Sequence, residues 1–153
     1  FAEEVNQCMK MGFNVYIWWY LRRFYSMLGD GDAGSVRGEV TTRGYFLSHF
    51  ARYATGRTRI KARLPEGASS DVSATAYKDS KGNISIIVVN SSANAMKNLK
   101  LTLPFEAKQA TKVVTVSGTT LAGTNKKMAQ STVNLADGVE VEAYSVVTLL
   151  IER

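Results

Sequence analysis

The longest run of large apolar residues lies near the start of the chain, from Phe13 to Leu21. It is apolar on successive positions instead of alternate ones. That pattern predicts a strand over Asn14–Leu21, parallel to its neighbours and covered on both faces. Before it, Val5, Cys8 and Met9 share a face at helical spacing, so Phe1–Met11 reads as the tail of an amphipathic helix that Gly12 ends. After it, Ser26–Thr42 is polar and carries Gly29, Gly31, Gly34 and Gly38, the pattern of a flexible surface loop. Tyr45, Phe46, Phe50 and Tyr53 then give a helix over about Gly44–Tyr53 an apolar face, with Thr41 or Thr42 as its cap and Gly56 at its exit.

From Arg57 the period shortens to that of strands. They are predicted near Thr58–Arg63, Val72–Lys78, Ile84–Asn90, Lys97–Leu103, Ala110–Ser117, Ser131–Leu135 and Ser145–Ile151. Asp79-Ser80-Lys81-Gly82-Asn83 signals a hairpin, and Gly118, Gly123 and Asp137-Gly138 punctuate the later strands. Ala74, Ala76, Ile84, Ile86, Val88, Leu99, Leu101 and Leu103 are expected to face inward. Short strands without helices between them read as an antiparallel β-sandwich. The opening helix–strand order is instead the closing part of a βα repeat. The chain is therefore expected to be mainly β, with a change of architecture near Thr55–Arg57 that divides it into residues 1–56 and 57–153.

Composition narrows the function classes. The chain has 153 residues, 45% of them hydrophobic, and a net charge of +6. That is ordinary for a folded domain, and the charge fits a solvated basic surface. No basic stripe with interleaved aromatics lies outside the opening stretch, so nucleic acid is not expected as a partner. The apolar run is far short of the ~18–20 residues that cross a bilayer, so no membrane is expected either. Phe1-Ala2-Glu3-Glu4 does not read as a signal peptide, and the chain is expected to begin inside a longer parent. The lone Cys8 excludes an intrachain disulfide framework and reads as a small core residue. Asp30-Gly31-Asp32-Ala33-Gly34 opens like a calcium loop, but Gly34, Ser35 and Thr41 break the pattern. His49, the only histidine, has no cluster of metal-ligating partners and reads as a helix histidine with a local hydrogen bond. Neither a metal nor a cofactor is expected.

The chemistry concentrates in Tyr16–Tyr25, which holds both tryptophans, three tyrosines and the pair Arg22-Arg23. Aromatic faces cover the C–H faces of sugar rings, tyrosine adds a hydroxyl, and a guanidinium grips a carboxylate with two parallel hydrogen bonds. A buried strand that opens into such residues is how a barrel enzyme presents a site.

Tyr16–Tyr25, with Thr42-Arg43-Gly44-Tyr45 and His49-Phe50-Ala51-Arg52-Tyr53, resembles the end of the catalytic barrel in glycoside hydrolase family 30, above all its bacterial glucuronoxylan endo-xylanases. The resemblance continues through Arg59-Ile60, Thr75–Lys78 and Ile84–Asn90 to Ser145–Thr148, nearly the whole chain. It implies a (β/α)8 barrel fused to a side β-sandwich, of which this chain supplies the last barrel strand, the last helix and the sandwich. It implies a secreted parent that cleaves xylan with retention, using two glutamates on earlier barrel strands. Such a pair stands only ~5–5.5 Å apart. Glu3, Glu4, Glu39, Asp30 and Asp32 do not fit that role, so no catalytic residue is expected here and the chain alone is expected to be inactive. What the match implies is substrate binding. Arg23 clamps the glucuronate carboxylate, Tyr25 hydrogen-bonds the same group, and Trp19 borders the site. Phe24 stands where the family carries a small residue. Trp18 is expected to be structural, and Arg22 to form an ion pair with the scaffold. The expected partners are xylan or glucuronoxylan and the rest of the parent barrel. The family's sandwich also borrows a strand from the parent's N-terminal region, so the isolated chain is expected to self-associate. The rival readings are a free-standing carbohydrate-binding module and a purely structural buttress.

Overall fold

The computed structural model describes residues 1–118 and 126–153; the turn expected at Gly123 lies outside them. Helix α1 spans Ala2–Lys10 and α2 spans Thr42–Tyr53. The strands are β1 (Thr58–Ile60), β2 (Val72–Lys78), β3 (Ile84–Asn90), β4 (Met96–Leu99), β5 (Gln109–Val116), β6 (Ala129–Asn134), β7 (Val139–Val141) and β8 (Ser145–Ile151). Six form one antiparallel sheet in the order β1-β2-β3-β8-β5-β6, and β4 pairs with β7 in a second. The mainly β, antiparallel expectation holds.

The large sheet is covered on both faces, which explains the near-continuous apolar runs in its central strands. Alternation sends Val147, Leu149 and Ile151 of β8, with Val88 of β3 and Val114 of β5, towards the β4–β7 pair. Val146, Ile87 and Val89 point the other way and pack with Val5, Phe50 and Ala54 of the helical segment. The residues expected inward from Ala74 to Leu103 are buried or half-buried, and all but Ala76 and Ile84 join the first of these clusters. Strand ends moved. Thr58–Arg63 stops at Ile60, Lys97–Leu103 becomes Met96–Leu99, and β7 is an element the pattern did not predict.

Polar side chains tie the helices to the sheet. Asn6 on α1 is fully buried, donating to Ser73 Oγ at 2.7 Å and accepting from Thr75 Oγ1 at 2.7 Å. His49 on α2 is fully buried too. Its Nδ1 lies 2.7 Å from Thr148 Oγ1 on β8 and its Nε2 2.9 Å from Thr115 Oγ1 on β5. Its hydrogen bonds are therefore not local, as expected from sequence, but span the chain. Thr41 is the cap of α2, its Oγ1 accepting from Gly44 N at 3.1 Å.

The predicted strand over Asn14–Leu21 is not formed. The stretch is extended, but Asn14–Tyr20 makes no backbone–backbone hydrogen bond among the described residues. Among the described residues no strand lies beside it to complete a ladder, so apolar composition alone leaves it irregular. It is also not buried on both faces: Phe13, Val15, Ile17, Trp19 and Leu21 are exposed. The loop that follows is better bonded than its glycines suggested. Gly29 N donates to Glu39 O, Gly38 N to Gly29 O and Thr41 N to Met27 O, closing Met27–Thr41 on itself.

Candidate functional site

The two faces of the Phe13–Leu21 stretch have different jobs. Gly12, at φ +87°, turns the chain off α1. Tyr16 and Trp18 face inward. The Tyr16 hydroxyl donates to Glu4 Oε1 at 3.0 Å, and burial with that bond pushes its pKa up to about 12, so it stays a neutral donor. The Trp18 ring meets Phe1 edge-on at 5.1 Å. Over both rings lies the Arg43 guanidinium of α2, 4.8 Å from the Trp18 centroid and 5.2 Å from that of Phe1. A cation over two aromatic faces is worth ~0.5–2 kcal/mol per ring. Arg43 also hydrogen-bonds the Tyr25 carbonyl, so one side chain of α2 holds both ends of the aromatic stretch. Trp18 is thus structural, as expected.

The outer face carries the candidate binding residues. Tyr20 sits at φ +60°, the left-handed region that a large side chain seldom adopts, and there the backbone turns outward. The Trp19 ring meets the Tyr20 ring at 4.7 Å and 67°, and the Arg23 guanidinium lies 5.5 Å from the Tyr20 centroid. Arg23 N donates to Leu28 O, Leu28 N to Leu21 O and Ser26 N to Arg23 O, fixing the turn that carries the cation. Tyr20 therefore joins Trp19 to Arg23 in one exposed patch. Sequence reasoning missed it, although its position three residues before Arg23 was visible. Tyr25 stands apart from that patch. It is half-buried, and Phe24 packs edge-on against it at 5.0 Å and 88°. Among the described residues no hydrogen bond or cation–π contact joins the Arg23 and Tyr25 side chains.

Arg23 forms no ion pair among the described residues. Asp30 is close enough to feel it, but the Asp30 carboxyl is held below its usual range mainly by the Asp32 N–H. Trp19 is 71% exposed. The patch thus offers an indole face, a phenol ring and a guanidinium with free donors to solvent. Arg22 makes no ion pair among the described residues either, which corrects the scaffold pairing expected of it. Its backbone bridges Leu28.

The carboxylates nearby are spent on structure. Glu3 accepts from Gln7 Nε2 and Ser73 Oγ, both at 2.5 Å, and Glu4 accepts from Tyr16. Asp30 accepts from Asp32 N at 3.1 Å and Ser35 Oγ at 3.3 Å, a loop closing on itself. No group of three metal-ligating side chains occurs among the described residues.

No protein-family model matches the chain. The glucuronoxylanase XynC of Bacillus subtilis is 28% identical over 157 residues, covering 99% of this chain and 34% of its own length. A GH30 endoxylanase from Clostridium papyrosolvens C71 superposes with a TM-score of 0.75 at 21% identity, over 99% of this chain and 37% of that one. The glycoside hydrolase family 30 subfamily 8 xylanase Xyn30A from Clostridium acetobutylicum gives 0.76 at 20%, over 99% and 38%. The chain thus spans about a third of the length of the proteins it matches. The solved structures share its fold, and the curated relative is similar to it in sequence. The chain is thus similar to the C-terminal part of glycoside hydrolase family 30 xylanases.

Proposed function

We propose that this chain is the C-terminal part of a secreted glucuronoxylan endo-xylanase of the retaining type, with residues 1–56 completing the catalytic barrel and residues 57–153 forming its side domain. In this reading Trp19 borders the xylan chain and Arg23 and Tyr25 bind its glucuronate branch, while the catalytic glutamates lie in the rest of the parent. The observation that carries it is the exposed Trp19–Tyr20–Arg23 patch, in which an indole face and an unpaired guanidinium stand on one turn. That is the donor set a carboxylated sugar requires. The extracellular location rests on the resemblance alone.

A second feature supports a parent partner. A trough of about 720 Å³ runs between Lys61–Pro65 and Leu99–Pro104 and is floored by Ala74, Ala76, Ile84 and Ile86. The backbones of residues 61–65 and 100–103 belong to no strand. Two extended edges facing each other across an apolar floor suit one more strand between them, which is what the resemblance implies the parent supplies. The rival reading, a sugar-binding module, needs exposed aromatics on the sandwich. Tyr77 is buried and Phe105 half-buried, leaving Tyr144. A buttress fits better.

Two measurements test the proposal. Purified Phe1–Arg153 is expected to release no reducing sugar from glucuronoxylan; dose-dependent release by contaminant-free protein overturns that. In the full-length parent, Arg23→Ala is expected to lower kcat/KM on glucuronoxylan by roughly tenfold or more, the loss of a charge-assisted hydrogen-bonded fork worth ~1.5–3 kcal/mol, and to leave unbranched xylan nearly unaffected. Equal loss on both substrates makes Arg23 a scaffold residue.

A further inference from the structure

Trp19, Arg23 and Tyr25 are held from behind by their backbone carbonyls. The groups that hold them belong to one buried serine and to the cap and first turn of α2. Ser26 has no solvent exposure. Its Oγ donates to Trp19 O at 3.4 Å and its N to Arg23 O at 2.9 Å. Its own carbonyl accepts from Thr41 Oγ1. The Tyr25 carbonyl accepts from the Arg43 guanidinium, and the Met27 carbonyl from Thr41 N at 2.9 Å. Three consecutive carbonyls, those of Tyr25, Ser26 and Met27, are thus all taken by Thr41 and Arg43.

Gly44 permits this approach. A Cβ at that position would stand 2.5 Å from Met27 O and 2.8 Å from Val40 Cγ1, so α2 reaches the turn only with glycine there. A glycine inside a helix otherwise weakens it, and here the close contact accounts for it. On the outer side the Arg23 guanidinium meets the Tyr20 ring and has no ion pair among the described residues, so its place is set by the backbone turn beneath it.

We propose that Thr41, Arg43 and Gly44 are positioning residues for glucuronate recognition. They hold the turn at Tyr25–Met27, and through Ser26 they fix Arg23 and Tyr25 relative to Trp19. The inference rests on Arg23 and Tyr25 being the glucuronate-binding pair. A guanidinium fork is directional, and a misplacement of about 1 Å costs on the order of 100-fold where geometry matters. The clamp therefore sets the preference for the branched polymer and leaves the cleavage chemistry, which belongs to the rest of the parent, alone.

The test uses the full-length parent with Gly44→Ala and Arg43→Met. Gly44→Ala is the sharper variant, because alanine favours the helix: were α2 only a scaffold, the change would be neutral or stabilising. Both are expected to lower the ratio of kcat/KM on glucuronoxylan to that on unbranched xylan by roughly five- to tenfold, the scale of one hydrogen bond. Arg43→Lys, which keeps a donor, is expected to fall between. In an Arg23→Ala background neither variant is expected to change the ratio further. Amide hydrogen exchange is expected to quicken about tenfold over residues 23–28, where the amides of Arg23, Ser26 and Leu28 are bonded within the turn, and to stay unchanged over Ser145–Ile151. Equal loss on the two polymers overturns the proposal, as does an undiminished effect in the Arg23→Ala background or unchanged exchange at residues 23–28. A parental ratio in Arg23→Ala alone overturns the glucuronate reading itself, and the proposal with it. A lowered ratio there, with none in Gly44→Ala or Arg43→Met, overturns the proposal alone.

Discussion

Strand β8 and the stretch Phe13–Leu21 are alike in composition and opposite in fate. Both are apolar almost throughout. In β8 every residue but Leu150 is buried, because β3 and β5 ladder it on both sides and the two faces of the sheet are each covered. In Phe13–Leu21 the alternate residues from Phe13 to Leu21 stand exposed, Ile17 at 85%. Apolar side chains do not make a strand; a row of backbone partners does. Where the partners are present, hydrophobicity becomes a core. Where they are not, the same hydrophobicity becomes surface.

The sharpest way to break this comparison is to truncate one residue in each region. Leu149→Ala removes a side chain with no solvent exposure from the centre of β8, and is expected to lower unfolding free energy by about 2–5 kcal/mol through lost transfer energy and a cavity. Ile17→Ala is expected to stay within ~0.5 kcal/mol, as for an exposed position without partners. Denaturant unfolding of both variants checks it. A large loss at Ile17 would mean that the stretch is packed against something in solution.

This contrast also sets what could be read from the sequence. The strands from Val72 onward were legible because their alternation and turn residues are local, and β2, β3 and β8 have the predicted limits. The fate of Asn14–Leu21 was not, since a strand requires a neighbour and no local pattern reports one. β7 escaped because three residues, Val139–Val141, are too few to show a period. In the candidate site, Trp19 and Arg23 were named from the sequence, Trp19 on a buried strand and Arg23 just past its end, whereas their exposure beside the Tyr20 ring depends on a positive φ that composition does not announce. Arg43 lay in a recognised motif, yet its place over Trp18 and Phe1 follows from how α2 docks.

Docking of α2 supplies the second prediction. His49 is the polar link between that helix and the sheet, and burial lowers its pKa from 6.5 to about 3. With a folded value below the unfolded one, the unfolded chain binds the proton first as pH falls. His49's contribution is therefore complete above about pH 6.5 and is lost progressively between there and pH 3, at ~1.4 kcal/mol per pH unit. The carboxylates held below their ordinary range, Asp30, Asp79 and Glu142, contribute stability that is lost only nearer their own titration, around pH 4 and below. Between pH 6.5 and 5 the slope thus belongs to His49. Unfolding free energies measured across that window are expected to fall by roughly 2 kcal/mol, and His49→Gln is expected to flatten the slope whatever it does to the absolute value. An unchanged slope in the variant would show that another group carries the dependence.

The last prediction concerns the exposed side of the comparison. Phe13, Val15, Ile17, Trp19 and Leu21 form a continuous apolar row on an extended segment without backbone partners, and the trough beside β2 has two unladdered edges. Each large side chain moved out of water gains ~1.5–3 kcal/mol, and an open edge is a template for another strand. The isolated chain is therefore expected to sediment as a dimer or larger species whose proportion rises with concentration. Ile17→Lys places a charge in the middle of the row without touching the sandwich, so it is expected to shift the equilibrium towards monomer by several-fold. A matching change at Val36, exposed in the neighbouring loop but outside the row, is expected to do much less. Equal effects at the two positions would point to general stickiness. Concentration-independent sedimentation as a monomer would show instead that the row finds its cover within its own chain, which would remove the difference between the two regions.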